Sequence, residues 1–312
     1  MNDAFENPPP VPDPSKAAQP PNPWLLAIRP KTLPASVVPV AVGSAVAFGE
    51  GKLALLPAGL ALIGALLIQI ASNLANDVFD FEKGADTAAR LGPTRVTQAG
   101  LITPIAMKRA LVGVIVAAMV VGLMLGAIGG WPVLWIGFFG LISAVAYTGG
   151  PYPLGYHGWG DFFVFLFFGL IAVAGTTYVQ TLALSPIALI AGVPVGLLCT
   201  NILVVNNVRD VDTDRAAGKR TLVARFGRPF GVAEYAVNLG LSAVACLALV
   251  TLLRSPWPAL PICSLPLGFR LWTSVRRLAG PALNPVLAET ARYEMIFGGL
   301  LAAGIALAAV GR

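Results

Sequence analysis

The chain has 312 residues, of which 56% are hydrophobic and only 12% charged, with a net charge of +6 and a mean hydropathy of +0.77. A water-soluble domain carries roughly 25% charged residues, so this composition excludes a soluble globular protein. The basic balance does not argue for a nucleic-acid partner, because the cations sit in short loops between apolar runs and no aromatic-basic module accompanies them.

In chain order, residues 1–22 form a Pro-rich stretch without the charged start, apolar core and cleavage site of a signal peptide, and read as a disordered tail. The remainder, 23–312, reads as one all-α, polytopic membrane domain. Its apolar runs suggest nine transmembrane helices bundled around a central cavity, at about 33–49, 54–80, 107–128, 131–148, 161–182, 186–208, 231–253, 257–274 and 290–310. The first run holds Pro34 and Pro39, and the eighth holds Pro258, Pro261 and Pro266. With the N-terminus inside, 18 of the 21 Lys and Arg residues fall on the inner side. That bias supports an N-in, C-out topology with an odd number of spans. Cys199, Cys246 and Cys263 lie singly in apolar runs and read as packed small hydrophobes.

Seven of the 15 acidic residues fall in two short stretches, NLANDVFDFEKGAD (73–86) and NNVRDVDTDRAAGKRTL (206–222). Both lie at the inner ends of even-numbered spans and so face the same side. Asn73, Asn76, Asp77 and Asp80 follow i, i+3, i+4, i+7 spacing and share one helix face. Asn207, Asp210 and Asp214 share another, while Glu82 and Asp212 point elsewhere. Carboxylates closing on each other from two helices suit Mg²⁺, which takes one or two carboxylates and completes its octahedron with water and phosphate oxygens. The neighbouring Lys and Arg suit the remaining phosphate oxygens. The alternative for either stretch alone is a solvated helix end paired with nearby bases.

These motifs, with N-x-x-N-D-x-x-D in the second span and N-x-x-R-D-x-x-x-D in the sixth, resemble those of the UbiA superfamily of intramembrane aromatic prenyltransferases. IRPKTLPAS (28–36), RLGPTRVTQAGLI (90–102) and LNPVLAETA (283–291) are similar to its branch that prenylates 1,4-dihydroxy-2-naphthoate. One departure stands out: the superfamily's third Asp, four residues after the second, is Gly84 here, and the nearest acid is Asp86.

The resemblance implies Mg²⁺-dependent transfer from a polyprenyl diphosphate to the naphthoate in the cytoplasmic membrane of a bacterium, with the site toward the cytoplasm. Two Mg²⁺ ions would bridge the diphosphate, held by Asp77, Asp80, Asp210, Asp214 and Asp86. Asn73, Asn76 and Asn207 would complete the polar shell, and Lys83, Arg95, Lys219 and Arg220 would contact the diphosphate. In the aromatic loop YTGGPYPLGYHGWGD (147–161), Tyr147 is the candidate beside an allylic cation; the same aromatics also suit an interfacial belt. Arg29 and Lys31 are candidate anchors for the acceptor carboxylate or simple positive-inside anchors. His157 is either a base or a bystander, and Asp161 either supports the site or favours a helix start. The competing readings are another acceptor of the same superfamily (4-hydroxybenzoate, homogentisate or haem) and a cation-coupled transporter.

Overall fold

The computed structural model describes residues 22–85 and 91–311, and all regular structure among them is helical. The tail expected over 1–22 lies outside the described residues except for Asn22. Its Oδ1 accepts the Trp24 amide at 2.9 Å and so caps the first short helix, α1 (Pro23–Ile28). Asp86 and Arg90 also lie outside them.

The long helices are α2 (Pro34–Gly49), α3 (Leu55–Glu82), α4 (Pro104–Gly129), α8 (Pro186–Arg209), α11 (Arg228–Leu253) and α13 (Leu283–Val310). Their starts are written in the sequence. Thr103 and Ser185 cap α4 and α8 through their hydroxyls, and each is followed by Pro at the first helical position, where the missing N–H costs nothing. Six helical segments are long and apolar enough to cross a membrane, and a seventh forms if the pair 23–32 and 34–49, bent by 45°, is counted as one span. Pro30 and Pro34 lie at that bend.

Two expected spans differ. The helix α5 (Trp131–Ala146) has 16 residues, short for a full crossing. The run at 257–274 is a 3₁₀ segment, Trp257–Ser264, leading into α12 (Leu265–Arg277). Pro258 and Pro261 remove amide donors there, and Pro266 at the start of α12 marks where the α-helical pattern resumes.

The segment 160–181 begins as α6 (Gly160–Val164), widens into a π-helix over Phe165–Ile171, and ends as α7 (Ala172–Thr181). Within the widened turn the backbone of Gly169 meets Gly192 and Gly196 of α8. A Cβ at Gly169 would lie 2.6 Å from the Gly192 carbonyl oxygen, so only glycine permits this approach.

The largest buried apolar cluster joins α2, α8, α11, α12 and α13 through residues such as Val42, Leu198, Tyr235, Leu249 and Phe297. A second cluster fixes the C-terminal end of α3: Leu74, Ala75 and Val78 pack against Val96, Ile102 and Met107. Outward faces stay apolar, as along α4 at Val112, Val116, Met119, Val120 and Leu123, which suits a lipid-facing surface. At 28 residues and 1.5 Å per residue, α3 is about 42 Å long. It therefore exceeds a hydrocarbon core of about 30 Å, and its acidic last turns lie at the membrane boundary.

Candidate active site

Asp80 is the hub. It is 2% exposed, and its Oδ1 accepts the Tyr156 hydroxyl at 2.7 Å and lies 3.6 Å from Lys219 Nζ. Its Oδ2 is 3.5 Å from Arg95 Nη2. One carboxylate of the first acidic stretch thus meets a lysine of the second, an arginine of the intervening loop and a tyrosine of the aromatic loop. Lys219 Nζ and Lys83 Nζ lie 4.7 and 5.2 Å from the centre of the Tyr156 ring. Lys83 Nζ donates to the carbonyls of Thr148 and Gly150 at 2.6 and 3.2 Å. Partial burial holds its ammonium below the usual lysine range; Asp80 pulls it up and Lys219 presses it down.

Asp77 works differently. Its Oδ1 accepts the Thr97 amide at 2.9 Å and its Oδ2 the Val96 amide at 3.1 Å, so both oxygens clamp the loop that carries Arg95. The two asparagines on the same face are also engaged. Asn73 Nδ2 donates to the Ile28 carbonyl and Thr32 Oγ1 at 2.9 and 3.0 Å, which ties down the turn carrying Arg29 and Lys31. Asn76 Oδ1 accepts the Thr148 hydroxyl at 2.9 Å, joining α3 to the aromatic loop.

On the second stretch, Asp210 takes a bidentate pair from its neighbour Arg209, with Nε to Oδ1 at 2.8 Å and Nη2 to Oδ2 at 2.6 Å. Arg209 also donates to Asn206 Oδ1 at 2.7 Å and Asn284 Oδ1 at 2.9 Å, and Asn284 Nδ2 donates to the Leu91 carbonyl at 3.0 Å. This chain runs from α8 through the first turn of α13 back to the loop before Arg95. Asn207 is buried on α8. After Asp210 the chain enters the short helices α9 (Val211–Ala216) and α10 (Leu222–Phe226). Asp214, half-buried on α9, has its carboxyl pushed up to about 6, chiefly by burial, with the Asp210 and Asp80 carboxylates opposing the pull of Lys219 and Arg209.

Tyr147, just past α5, lies between the stretches. Burial pushes its hydroxyl up, and the carboxylates of Asp161, Asp214 and Asp80 add to the push. Its ring is held by two glycines. A Cβ at Gly155 would lie 2.9 Å from ring atom Cε1, and one at Gly160 would lie 2.8 Å from the hydroxyl oxygen.

The structure therefore gathers Asp80, Arg95, Lys83, Lys219 and Tyr156, with Asp77 as their clamp and Asp214 and Tyr147 within electrostatic reach. Arg220 is exposed, and its amide donates to the Tyr156 carbonyl at 2.7 Å; Lys31 is also exposed. His157 stacks on Tyr152 at 3.7 Å, with Nδ1 2.8 Å from the Pro153 carbonyl oxygen. Glu82 pairs with Lys108 at 2.6 Å, away from the hub. Arg209, Asn206, Asn284 and Thr148 were not singled out as site residues from sequence. The visible signals were the Arg of the N-x-x-R-D motif and the Asn of LNPVLAETA.

Among the described residues, no three His, Cys, Asp or Glu side chains form a ready cage for a metal. Mg²⁺ does not require one, since one or two carboxylates, waters and substrate phosphates suffice. The Asp214 carboxyl is raised chiefly by burial, and the Asp210 and Asp80 carboxylates add to the rise, an electrostatic setting that a divalent cation relieves.

The chain matches the model of the UbiA prenyltransferase family over residues 36–286. It is 40% identical over 293 residues to the 1,4-dihydroxy-2-naphthoate octaprenyltransferase of Escherichia coli K12, covering 91% of this chain and 95% of that protein. It is 34% identical over 286 residues to the protein of the same name from Mycobacterium leprae, covering 91% and 96%. Among solved structures, a UbiA homolog from Archaeoglobus fulgidus bound to GPP and Mg²⁺ shares the fold, with a TM-score of 0.66 at 16% identity over 91% of this chain and 99% of that one. The chain belongs to the UbiA prenyltransferase family.

Proposed function

We propose that the chain transfers a polyprenyl group from an allylic polyprenyl diphosphate to 1,4-dihydroxy-2-naphthoate, releasing pyrophosphate and carbon dioxide and giving demethylmenaquinol. The observation that carries this reading is the convergence of both acidic stretches on one point. There Asp80 meets Lys219 of the second stretch and Arg95, and Asp214 feels Asp80 and Asp210.

In this reading Lys83, Arg95, Lys219 and Arg220 take the diphosphate oxygens, and leaving their present carbonyl and carboxylate partners is part of binding. Asp77, Asp80, Asp210 and Asp214, with Asp86, hold two Mg²⁺ ions, and Asn73, Asn76 and Asn207 orient the carboxylates and loops around them. Bound Mg²⁺ supplies Lewis acidity toward the diphosphate as the allylic C–O bond ionises. The glycine-cradled ring of Tyr147 faces the nascent allylic cation, and burial between helices keeps water from it. Arg29 and Lys31, on the turn fastened by Asn73, anchor the acceptor carboxylate. The nine-span bundle around a central cavity, the N-terminus inside and a cytoplasmic-facing site in a bacterial inner membrane belong to the same proposal, which the cation distribution supports. Family membership removes the basis for a transporter reading.

The test is the mass of the product formed by purified protein from the naphthoate and a polyprenyl diphosphate, with and without chelator. A prenylated, decarboxylated product that disappears with chelator supports the reading. Equal turnover of 4-hydroxybenzoate would overturn the acceptor assignment, and no prenylated product from either would overturn the activity.

A further inference from the structure

A second charged feature lies apart from the acidic hub, on the outside of the bundle where α11 begins and α12 ends. A cleft of about 390 Å³ opens there, lined by Arg228, Pro229, Val232, Ala233, Trp272 and Arg276. Two of these residues are cations, none is acidic, and the rest give an apolar or aromatic wall. Both cations are held in place. Arg228 Nη2 donates to the carbonyls of Val275 and Arg276, at 2.8 and 3.2 Å, and to that of Leu278, completing the C-terminal end of α12. The Arg276 guanidinium lies 5.9 Å from the centre of the Trp272 ring. That ring is locked by Nε1 donating to the Val232 carbonyl at 2.9 Å, which also fixes the spacing of the two helices.

Position matters as much as charge. Arg228 is the first residue of a membrane-spanning helix, so the cations sit at the hydrocarbon boundary while Val232 and Ala233 continue one turn into the span. Exposed Phe269 and Val237 extend the apolar surface beside the cleft. A soluble phosphate would use only the two guanidinium groups and leave the apolar wall wet. A phospholipid uses both, with its phosphodiester on the cations and its glycerol and first acyl carbons on the wall.

We infer that this cleft is a binding site for an anionic glycerophospholipid, whose phosphate bridges Arg228 and Arg276 and whose acyl chains run along α11 past Val232 and Ala233. The lipid then acts as a strut between α11 and α12.

The experiment uses the full-length protein, delipidated and returned to bilayers of phosphatidylcholine with graded phosphatidylglycerol, with bound lipid read by native mass spectrometry. The wild type retains phosphatidylglycerol over phosphatidylcholine by roughly tenfold. Arg276→Gln, which removes a cation whose side chain makes no hydrogen bond among the described residues, abolishes that preference. Ala233→Trp, which fills the cleft and keeps both cations, lowers retention of phosphatidylglycerol as well. Arg254→Gln, at the other end of α11, leaves the preference intact. Equal retention of the two lipids by the wild type, or an unchanged preference in both cleft variants, overturns the inference. Displacement of phosphatidylglycerol by inorganic phosphate at equal concentration also overturns it, because the cleft would then be an anion site indifferent to lipid.

Discussion

The two acidic stretches each carry two carboxylates about one turn apart, three residues on α3 (Asp77, Asp80) and four across the α8–α9 junction (Asp210, Asp214), but differ in how those carboxylates are used. On α3, Asp77 spends both oxygens on backbone amides of the Arg95 loop, while Asp80, one turn later, gathers side chains from three other segments. After α8, Asp210 is paired with a buried neighbouring arginine, and the Asp214 carboxyl is raised to about 6, chiefly by burial. Each stretch thus pairs one carboxylate that builds the site with one whose charge remains available to it. Similar spacing does not mean equal work.

The largest expected effect, and the sharpest test of this division, is Asp80→Asn. The substitution keeps an acceptor for Tyr156 but removes the charge that faces Arg95 and Lys219. Prenyl transfer should fall by about 10²–10³-fold or more, the scale of losing one preorganised electrostatic partner of a transition state, while the protein still inserts. Product mass and initial rate with saturating Mg²⁺ check it, and near wild-type activity would remove Asp80 from the centre of the site.

Asp210→Ala should also abolish transfer, but with a folding defect that Asp80→Asn lacks. It leaves the buried Arg209 guanidinium unpaired, a change that costs about 3–5 kcal/mol in buried pairs. Asp77→Asn should fall between them. An amide offers one acceptor where two backbone N–H groups now bond, and an unpaired buried amide costs about 1–3 kcal/mol. Its activity loss should track local loosening of residues 95–100, read by hydrogen exchange at Val96 and Thr97. Full protection with lost activity would mean that the metal-holding role proposed for Asp77 outweighs its role as a clamp.

Asp214 gives a smaller effect of opposite sign. Its carboxyl titrates near 6 in the folded protein against an ordinary value of 3.8, so its ionised form is disfavoured by folding. That group's contribution to stability is fully present below the ordinary value and is lost as pH rises through about 6. Asp214→Asn should therefore raise the thermal midpoint of the Mg²⁺-free protein at pH 7–8, with the difference narrowing as pH falls below about 6 and closing below 3.8, even as transfer activity drops. A lower midpoint at pH 8 would show that folding does not disfavour the ionised Asp214 carboxylate. Glu82→Gln, which removes only the exposed pair with Lys108, should change activity little and stability by less than about 1 kcal/mol.

The shared face expected on α3 holds for the continuous helix that carries Asp77 and Asp80, and Glu82 and Asp212 are exposed. Asp214, by contrast, is not on the face of α8 with Asn207, because that helix ends before Asp210 and Asp214 lies on α9. Spacing alone could not show what each carboxylate bonds, because partners such as Val96, Tyr156 and Asn284 are set by folding. Arg209 illustrates the limit. Residues adjacent in a helix point about 100° apart, so Arg209 read only as a boundary charge. The helix ends at Asp210, whose backbone turns to φ −99° and ψ 11°, and the two side chains meet. Span lengths misled for a related reason. Hydropathy measures how apolar a run is, not its rise per residue, and the prolines at 258 and 261 made part of an apolar run into a 3₁₀ helix.

The glycine seam between the π-turn of 165–171 and α8 has a consequence for biosynthesis. Gly169, Gly192 and Gly196 lie fewer than 30 residues apart in the chain, and the two segments are joined by a turn of only a few residues. This hairpin can therefore close with little loop entropy as it leaves the translocon, well before α13 is made. Arg209 at the end of the same α8, by contrast, must wait for Asn284 of the last helix. Assembly of the site is thus timed by the C-terminal helix, and a chain stalled after α11 would hold its hairpin but not its completed Arg209 network.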